Sequence, residues 1–488
     1  MYHVTIFVCA LMLTQGAASA ATAPTLSLGP DVDIGSSYGN PTLSQYQSDL
    51  RCDPNDARIM AVTCKLETTP SQSENETLCF STVDGGVTWR STRQLASSDP
   101  DVVFAPDGSL HWTFINNGSG RLLGYRRSLD HGLTWEATRD LSATVDHPHI
   151  TCDRSGGPFH GSLYVAGRRF SNDGIAVLRS RDGGGTWQVL HLPLTEAPRL
   201  RKGFVYGSTV LVNGTLLIPI KTENTIIVTN DWYGGAISEV YMLRSTDGGV
   251  TFAPAQLIGS KNGPAIQGPG GAFQLANLVS GPWAGGQRIY LAWSQKRDQQ
   301  PAVLVLSTSD DGGLTWSPLR EVLQSAPTGW GVAGASLMCN RAGVLAVQWY
   351  STPDFSTFDL YSAVSIDGGV SFTAPLRVSP ETSTAPPSEA RVPGQDQVYA
   401  DAAADGSFRL VWTDARRNAP GYVLHTRTLN VQVADANRDG VVDAQDKALI
   451  GTNFGRSGST ITPAGADANG DGRVDAVDLG IINRGLGH

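Results

Sequence analysis

The sequence predicts an all-β protein built from a ring of repeated four-stranded units, followed by a small helical module. Three observations carry this expectation. A pattern S/T-x-D-x-G-x-T/S-W/F recurs six times, starting at Thr82, Ser128, Ser180, Ser245, Ser309 and Ser365. Gly (55) and Pro (27) together make up about one residue in six, too many for a helical bundle because both weaken helix interiors. After Val433 the composition turns acidic, and one Asp-rich pattern appears twice, each copy followed by a short apolar run.

Taken in order, residues 1–20 read as a secretory signal. An apolar run at 6–13 precedes Ala18-Ser19-Ala20, a small-x-small cleavage site. The product is therefore expected to be secreted, either extracellular or attached to the cell surface. No other stretch approaches the ~20 apolar residues needed to span a bilayer. A net charge of −9 offers phosphate no basic surface, which argues against nucleic acid as a partner. An apolar content of 40% argues against disorder.

Five cysteines follow the signal. Cys64 and Cys79 flank a loop at 67–76 symmetrically, so a hairpin is expected to face them across a disulfide. Cys52, Cys152 and Cys339 each end a similar strand in a different repeat, which suggests packing roles.

The repeat has the chemistry of a hairpin turn. Its aspartates (Asp84, Asp130, Asp182, Asp247, Asp311 and Asp367) can accept N–H groups of their own turn. The Gly supplies positive φ, and the aromatic packs beneath. Strands precede and follow each turn, about four to a unit, which is the composition of a propeller blade. First strands at 48–54, 99–106, 147–153, 204–212, 270–279, 334–340 and 398–406 give seven blades, with six as the alternative. The last unit lacks the turn motif, so residues 25–32 could supply its outer strand and close the ring. The Gly/Pro-rich stretch 260–272 is expected to be a loop.

These turns resemble the Asp-box repeats of sialidase-like β-propellers over roughly residues 25–430, and the propeller domain is placed at 25–433. In that family the boxes mark the face away from the active site, so the six aspartates are expected to be structural. The resemblance also implies an arginine triad gripping a substrate carboxylate, a Tyr–Glu nucleophile pair and an Asp acid/base. The Phe-Arg-Ile-Pro motif that carries the first triad arginine is absent, and Arg51 and Arg58 are its nearest counterparts. Aligning the inner strands brings Asp49, Asp101, His149, Ser336 and Tyr399 to equivalent positions near the channel. The second strands end on the same face with Arg169, Glu223, Arg297, Asp414 and Arg416. From these, the candidate catalytic set is Asp49, Asp101, Arg169, Arg297, Arg416, Tyr399 and Glu223.

The tail, 434–488, carries the spacing D-x-N-x-D-G-x-V-D-x-x-D twice. Oxygen ligands at loop positions 1, 3, 5, 9 and 12 with Gly at 6 match a calcium loop. One set is Asp435, Asn437, Asp439, Asp443 and Asp446, with the Val441 carbonyl. The other is Asp467, Asn469, Asp471, Asp475 and Asp478, with the Arg473 carbonyl. Two such halves resemble a dockerin module, which implies two calcium ions and either a cohesin-like partner or docking on the chain's own propeller.

Two functions from different classes follow. One is a secreted glycoside hydrolase of exo-α-sialidase type, acting on glycans or polysaccharide. The other is a non-catalytic propeller that binds glycan or protein. The absent arginine motif favours binding, whereas the convergent acids favour an enzyme.

Overall fold

The computed structural model describes residues 23–486 except 39–42, 68–74, 172, 193–199, 201–202, 223–236, 263–276, 285, 298–299, 324–326, 354–355, 387–397, 417–420 and 440. The expected signal at 1–20, Glu223 and most of the expected 260–272 loop lie outside them. The chain folds as an all-β propeller with two C-terminal helices.

The innermost strands touch one another around a closed circuit. It runs from Ser44–Cys52 to Ser97–Phe104 and then to the second half of Arg139–Cys152. From there it passes through Phe204–Val205 with Thr209–Val210, Asn277–Trp283 and Gly331–Cys339. Val398–Tyr399 and Asp401–Ala402 return it to Ser44–Cys52. Hydrogen bonding among the described residues gives six sheets, not the seven separate blades expected. The reason is local. Arg139–Cys152 is one 14-residue strand whose first part pairs Leu122–Ser128 and whose second part pairs Leu163–Arg169, fusing two units into a seven-stranded sheet. The N-terminal segment does close the ring, because Thr25–Leu28 pairs antiparallel with residues 429–432 of the last strand.

Second strands carry the core. Trp112, Trp293, Trp349 and Trp412 occupy corresponding strands of four units and are fully buried, filling the space between adjacent sheets. The six turns share one bonding pattern. In the first, the Thr82 hydroxyl donates to Asp84 Oδ1 at 2.8 Å, Thr88 N–H donates to the same oxygen at 2.9 Å, and Gly86 N–H donates to Thr82 Oγ1 at 3.0 Å. The other five repeat it.

The expected disulfide does not form, and Cys52, Cys64, Cys79, Cys152 and Cys339 are all free. The register sets Cys79 opposite Thr63 and Cys64 opposite Leu78. One residue of offset turns two strand side chains to opposite faces, and the two thiols sit in different core clusters.

Candidate functional site at the channel mouth

A recurring bulge shapes the channel. In four inner strands one extra residue interrupts the pairing, and a residue in left-handed backbone lies within the slip: Gln47 (φ 57°), Asp99 (φ 49°), His147 (φ 50°) and Gly334 (φ 53°). Left-handed backbone costs a non-Gly residue roughly 1–2 kcal/mol, so three of these four bends are held by their surroundings. The third residue of each bend, Asp49, Asp101, His149 or Ser336, turns into the channel wall.

These polar side chains fasten one inner strand to the next. Asp49 Oδ2 accepts Val102 N–H at 3.1 Å, and Asp101 Oδ2 accepts Ile150 N–H at 3.1 Å. Asn277 Oδ1 accepts Leu337 N–H at 2.8 Å, Ser336 Oγ accepts Ala400 N–H at 3.0 Å, and Asp401 Oδ2 accepts Cys52 N–H at 3.0 Å. The two carboxyls expected to be catalytic, Asp49 and Asp101, therefore act as clasps. Arg51 Nη2 lies 3.0 Å from Asp49 Oδ1 and 3.8 Å from Asp101 Oδ1, and His149 Nδ1 lies 3.0 Å from Asp101 Oδ2. Burial pushes the Asp49 carboxyl well above the ordinary carboxylate range, opposed by Arg51 and reinforced by Asp101.

The bends themselves build the mouth. Asp99, Asp146 and His147 each offer one ligand atom, and all three atoms lie within 4.8 Å of one another. Gln47 Nε2 donates to Asp99 Oδ1 at 3.2 Å, and Arg168 forms an ion pair with Asp146. Arg168 Cζ stands 3.7 Å over the Phe204 ring, and the His147 ring meets Phe204 edge-on at 5.3 Å. Phe204 stacks on Tyr206 at 5.9 Å, Tyr206 faces His149 at 6.5 Å, and His149 meets Tyr399 edge-on at 5.7 Å. The result is an aromatic wall running from mouth to channel, with carboxylates, an imidazole and a guanidinium at its outer end. Because Arg168 already supplies positive charge beside Asp146, the cluster suits a neutral polar ligand better than a metal ion. Chain direction puts the mouth at the end of the ring opposite the six box turns, since inner strands start at the mouth and third strands end at the boxes.

The remaining candidates are dispersed. Arg169 forms an i,i+4 pair with Asp173 at 2.7 Å. Arg416 bonds Asp31 at 2.6 Å and Asp414 at 2.5 Å, tying the N-terminal segment to the last sheet. Tyr399 is buried in the wall, with Arg51 5.1 Å from its ring centroid. Arg297 ends the strand Gly286–Arg297, and its side chain lies outside the described residues. Sequence reasoning missed Asp99, Asp146, His147 and Arg168. A signal was there, in the matched tripeptides Asp99-Pro100-Asp101 and His147-Pro148-His149.

In the tail, both loops wrap around aspartates and offer only oxygen donors. Asp467 accepts the N–H groups of Gly470 (2.8 Å), Asp471 (3.0 Å) and Gly472 (2.7 Å). Burial, with the charges of Asp471 and Asp478, pushes its carboxyl up to about 7 against the Gly472 N–H bond, so the site is short of positive charge. Asp446 and Asp478 close their loops by accepting the N–H groups of Asp443 and Asp475, both at 2.8 Å. Asp443 and Asp475 then cap the helices α1 (Ala444–Asn453) and α2 (Ala476–Gly485). This donor set fits a hard divalent cation.

Residues 433–487 match the family of the dockerin type I domain. No curated protein sequence matches the chain. Among solved structures, a leech intramolecular trans-sialidase complexed with 2,7-anhydro-Neu5Ac is 12% identical, over 64% of this chain and 66% of that one, at a TM-score of 0.45. The match thus spans just under two thirds of the leech enzyme. A protein of unknown function from Dyadobacter fermentans is 12% identical over 83% of this chain and 98% of its own, at 0.48. An α-L-arabinofuranosidase of Fusarium graminearum with arabinobiose is 12% identical over 68% and 92%, at 0.42.

Proposed function

We propose, from a dockerin type I domain at residues 433–487 and the mouth built by the inner-strand bends, that this is an exported propeller hydrolysing glycosidic bonds. The observation that carries the reading is the approach of Asp99 and Asp146, whose ligand atoms lie within 4.8 Å beside an aromatic wall. Retaining glycosidases hold their two carboxyl groups about 5–5.5 Å apart. Asp146, paired with Arg168, is the carboxylate that attacks the anomeric carbon. Asp99, bonded to neutral Gln47, gives its proton to the departing oxygen and then takes one from the incoming water. Phe204 and Tyr206 offer flat apolar faces to a sugar ring.

An exo-α-sialidase is the narrower form of this reading. Arg169 and Arg416 each sit in a separate ion pair, which counts against a three-arginine clamp. A binding-only propeller is favoured by one observation, the engagement of Asp49 and Asp101 as clasps. The seven-blade count also stays a proposal, supported by the two different partners of Arg139–Cys152. Each tail loop is assigned one calcium ion, held by Asp435, Asn437, Asp439, Val441, Asp443 and Asp446, or by Asp467, Asn469, Asp471, Arg473, Asp475 and Asp478. The outward helices are left for a cohesin-like partner.

The test is a panel of 4-methylumbelliferyl sialosides, hexopyranosides and pentofuranosides. Asp99→Asn and Asp146→Asn are each expected to lower turnover on the order of 10²–10⁴-fold at unchanged thermal stability. Glycan binding without turnover, weakened by Arg168→Ala, establishes the binding-only form. Neither turnover nor binding across the panel refutes both.

A further inference from the structure

The two tail loops share a backbone bend, and both bends press on the propeller. The fourth residue of each loop is left-handed, Arg438 at φ 61° and Gly470 at φ 78°. Arg438 Nη1 donates to the Ile366 carbonyl at 2.8 Å and to the Gly343 carbonyl at 3.3 Å, while Nη2 donates to the Ala342 carbonyl. Ile366 lies next to the box aspartate Asp367. Ala342 and Gly343 belong to the turn between the strands Gly331–Cys339 and Leu345–Thr352.

Gly470 contributes through its missing side chain. A Cβ on it would stand 2.8 Å from Asn340 Nδ2, and a Cβ on Gly406 would stand 2.2 Å from the Gly470 carbonyl. Asn340 joins the two turns beneath, donating from Nδ2 to the Gly406 carbonyl at 2.9 Å. Its Oδ1 accepts Ala342 N–H at 3.1 Å and Val344 N–H at 3.0 Å. Val433 N–H donates to the Ala468 carbonyl at 3.0 Å, carrying the last propeller strand into the second loop. The module therefore bridges two neighbouring sheets at the box end of the ring, remote from the mouth.

We propose that this contact is a latch assembled by calcium. The bends at position four form the docking surface, and they belong to loops whose carboxylates repel one another unless a cation gathers them. An Arg in left-handed backbone is costly by itself, roughly 1–2 kcal/mol, so Arg438 needs both the closed loop and its three carbonyls. Coupling of this kind is reciprocal. Calcium strengthens docking, and docking raises the module's affinity for calcium by the same factor. The propeller is thus a binding partner of its own tail. The outer surface of the helices, where Gln445, Lys447 and Val477 are exposed, remains open to a second protein.

The latch rests on the calcium reading of the tail loops, and the two are separable. Calcium titration calorimetry of the full wild-type chain is compared with Gly406→Ala, a propeller substitution, and with Arg438→Ala. Calcium affinity about tenfold weaker in both variants is expected. Hydrogen exchange of the wild-type chain in chelator, which needs no variant, should show lost protection in the turns at 340–344 and 403–407. The equivalent turn at 105–109 should be unchanged. Calcium binding with equal affinity in all three chains, and unchanged exchange at 340–344, overturns the latch alone. No calcium binding by the wild-type chain overturns the loop reading and the latch with it.

Discussion

Replacing Asp101 separates a structural carboxylate from a chemical one. Asp101 Oδ1 accepts Val102 N–H at 2.8 Å, and Oδ2 serves Ile150 N–H at 3.1 Å and His149 Nδ1 at 3.0 Å. Asp101→Ala removes all three contacts, while Arg51 keeps Asp49 at 3.0 Å and stays charge-paired. A buried donor deprived of its acceptor costs about 1–3 kcal/mol. Two such groups, Ile150 N–H and His149, put the loss at roughly 2–5 kcal/mol, since neighbouring terms are not additive. In a domain this large each kcal/mol moves the melting temperature by about 2 °C or less, so a fall of at most about 10 °C is expected. Asp101→Asn retains an acceptor for Ile150 N–H and should cost about 1 kcal/mol or less. The pH dependence has a definite sign. Burial raises the native Asp101 carboxyl, opposed by Asp49 and Arg51, so the native state binds this proton more tightly than the unfolded chain. Its contribution is complete below the ordinary carboxylate range and is lost as pH rises through the native value. The Asn variant has no such loss, so its deficit relative to wild type should shrink from pH 4 towards neutrality. Scanning calorimetry across that range, paired with the glycoside panel, is the assay. Unchanged melting of Asp101→Ala together with abolished turnover would refute the clasp.

Acid should loosen the box turns before the core. Thr88 holds Asp84 at about 2 through its hydroxyl and N–H, and Thr186 holds Asp182 at about 2 through its N–H and hydroxyl. Depressed values stabilise the turns above the ordinary carboxylate range, and the support goes as pH falls through about 2. Hydrogen exchange at Thr88 and Thr186 should therefore rise between about pH 4 and 2, and exchange that stays flat would count against these bonds. Thiol titration of the denatured chain without residues 1–20 should find all five cysteines reduced, with no change in melting on adding dithiothreitol. Fewer free thiols would contradict the register of Cys64 and Cys79.

The ring was legible because its signal is repeated. Six copies of one turn motif cannot be explained by local accident, and each predicts the same Asp, Gly and aromatic contacts. The tail was legible for the same reason, since its Asp-rich pattern appears twice and residues 433–487 match the dockerin type I domain. The site was harder to read because polar residues on an inner strand have two uses with identical sequence signatures. Asp49 and Asp101 sit where a channel acid belongs, yet the bulge turns them onto the next strand's N–H groups. The bulge also lifts the residue two places earlier, Asp99 or His147, to the mouth. That displacement depends on left-handed backbone at a non-Gly residue, which no propensity scale marks. The disulfide expectation failed by one residue of register, a quantity that loop symmetry does not determine.

The two ends of the ring thus divide the work. At one end, strained inner-strand bends gather carboxylates, an imidazole, a guanidinium and aromatic faces while the clasps beneath hold the strands together. At the other, box turns and first turns make the floor on which the tail module sits. A substitution at Gly406 or Arg438 should then alter calcium binding and leave the mouth's chemistry intact. One at Asp99 or Asp146 should do the reverse. Asp101→Ala should lower melting and leave calcium affinity as it is, because its strand Ser97–Phe104 packs on Ser44–Cys52 and Arg139–Cys152, away from the turns that carry the tail.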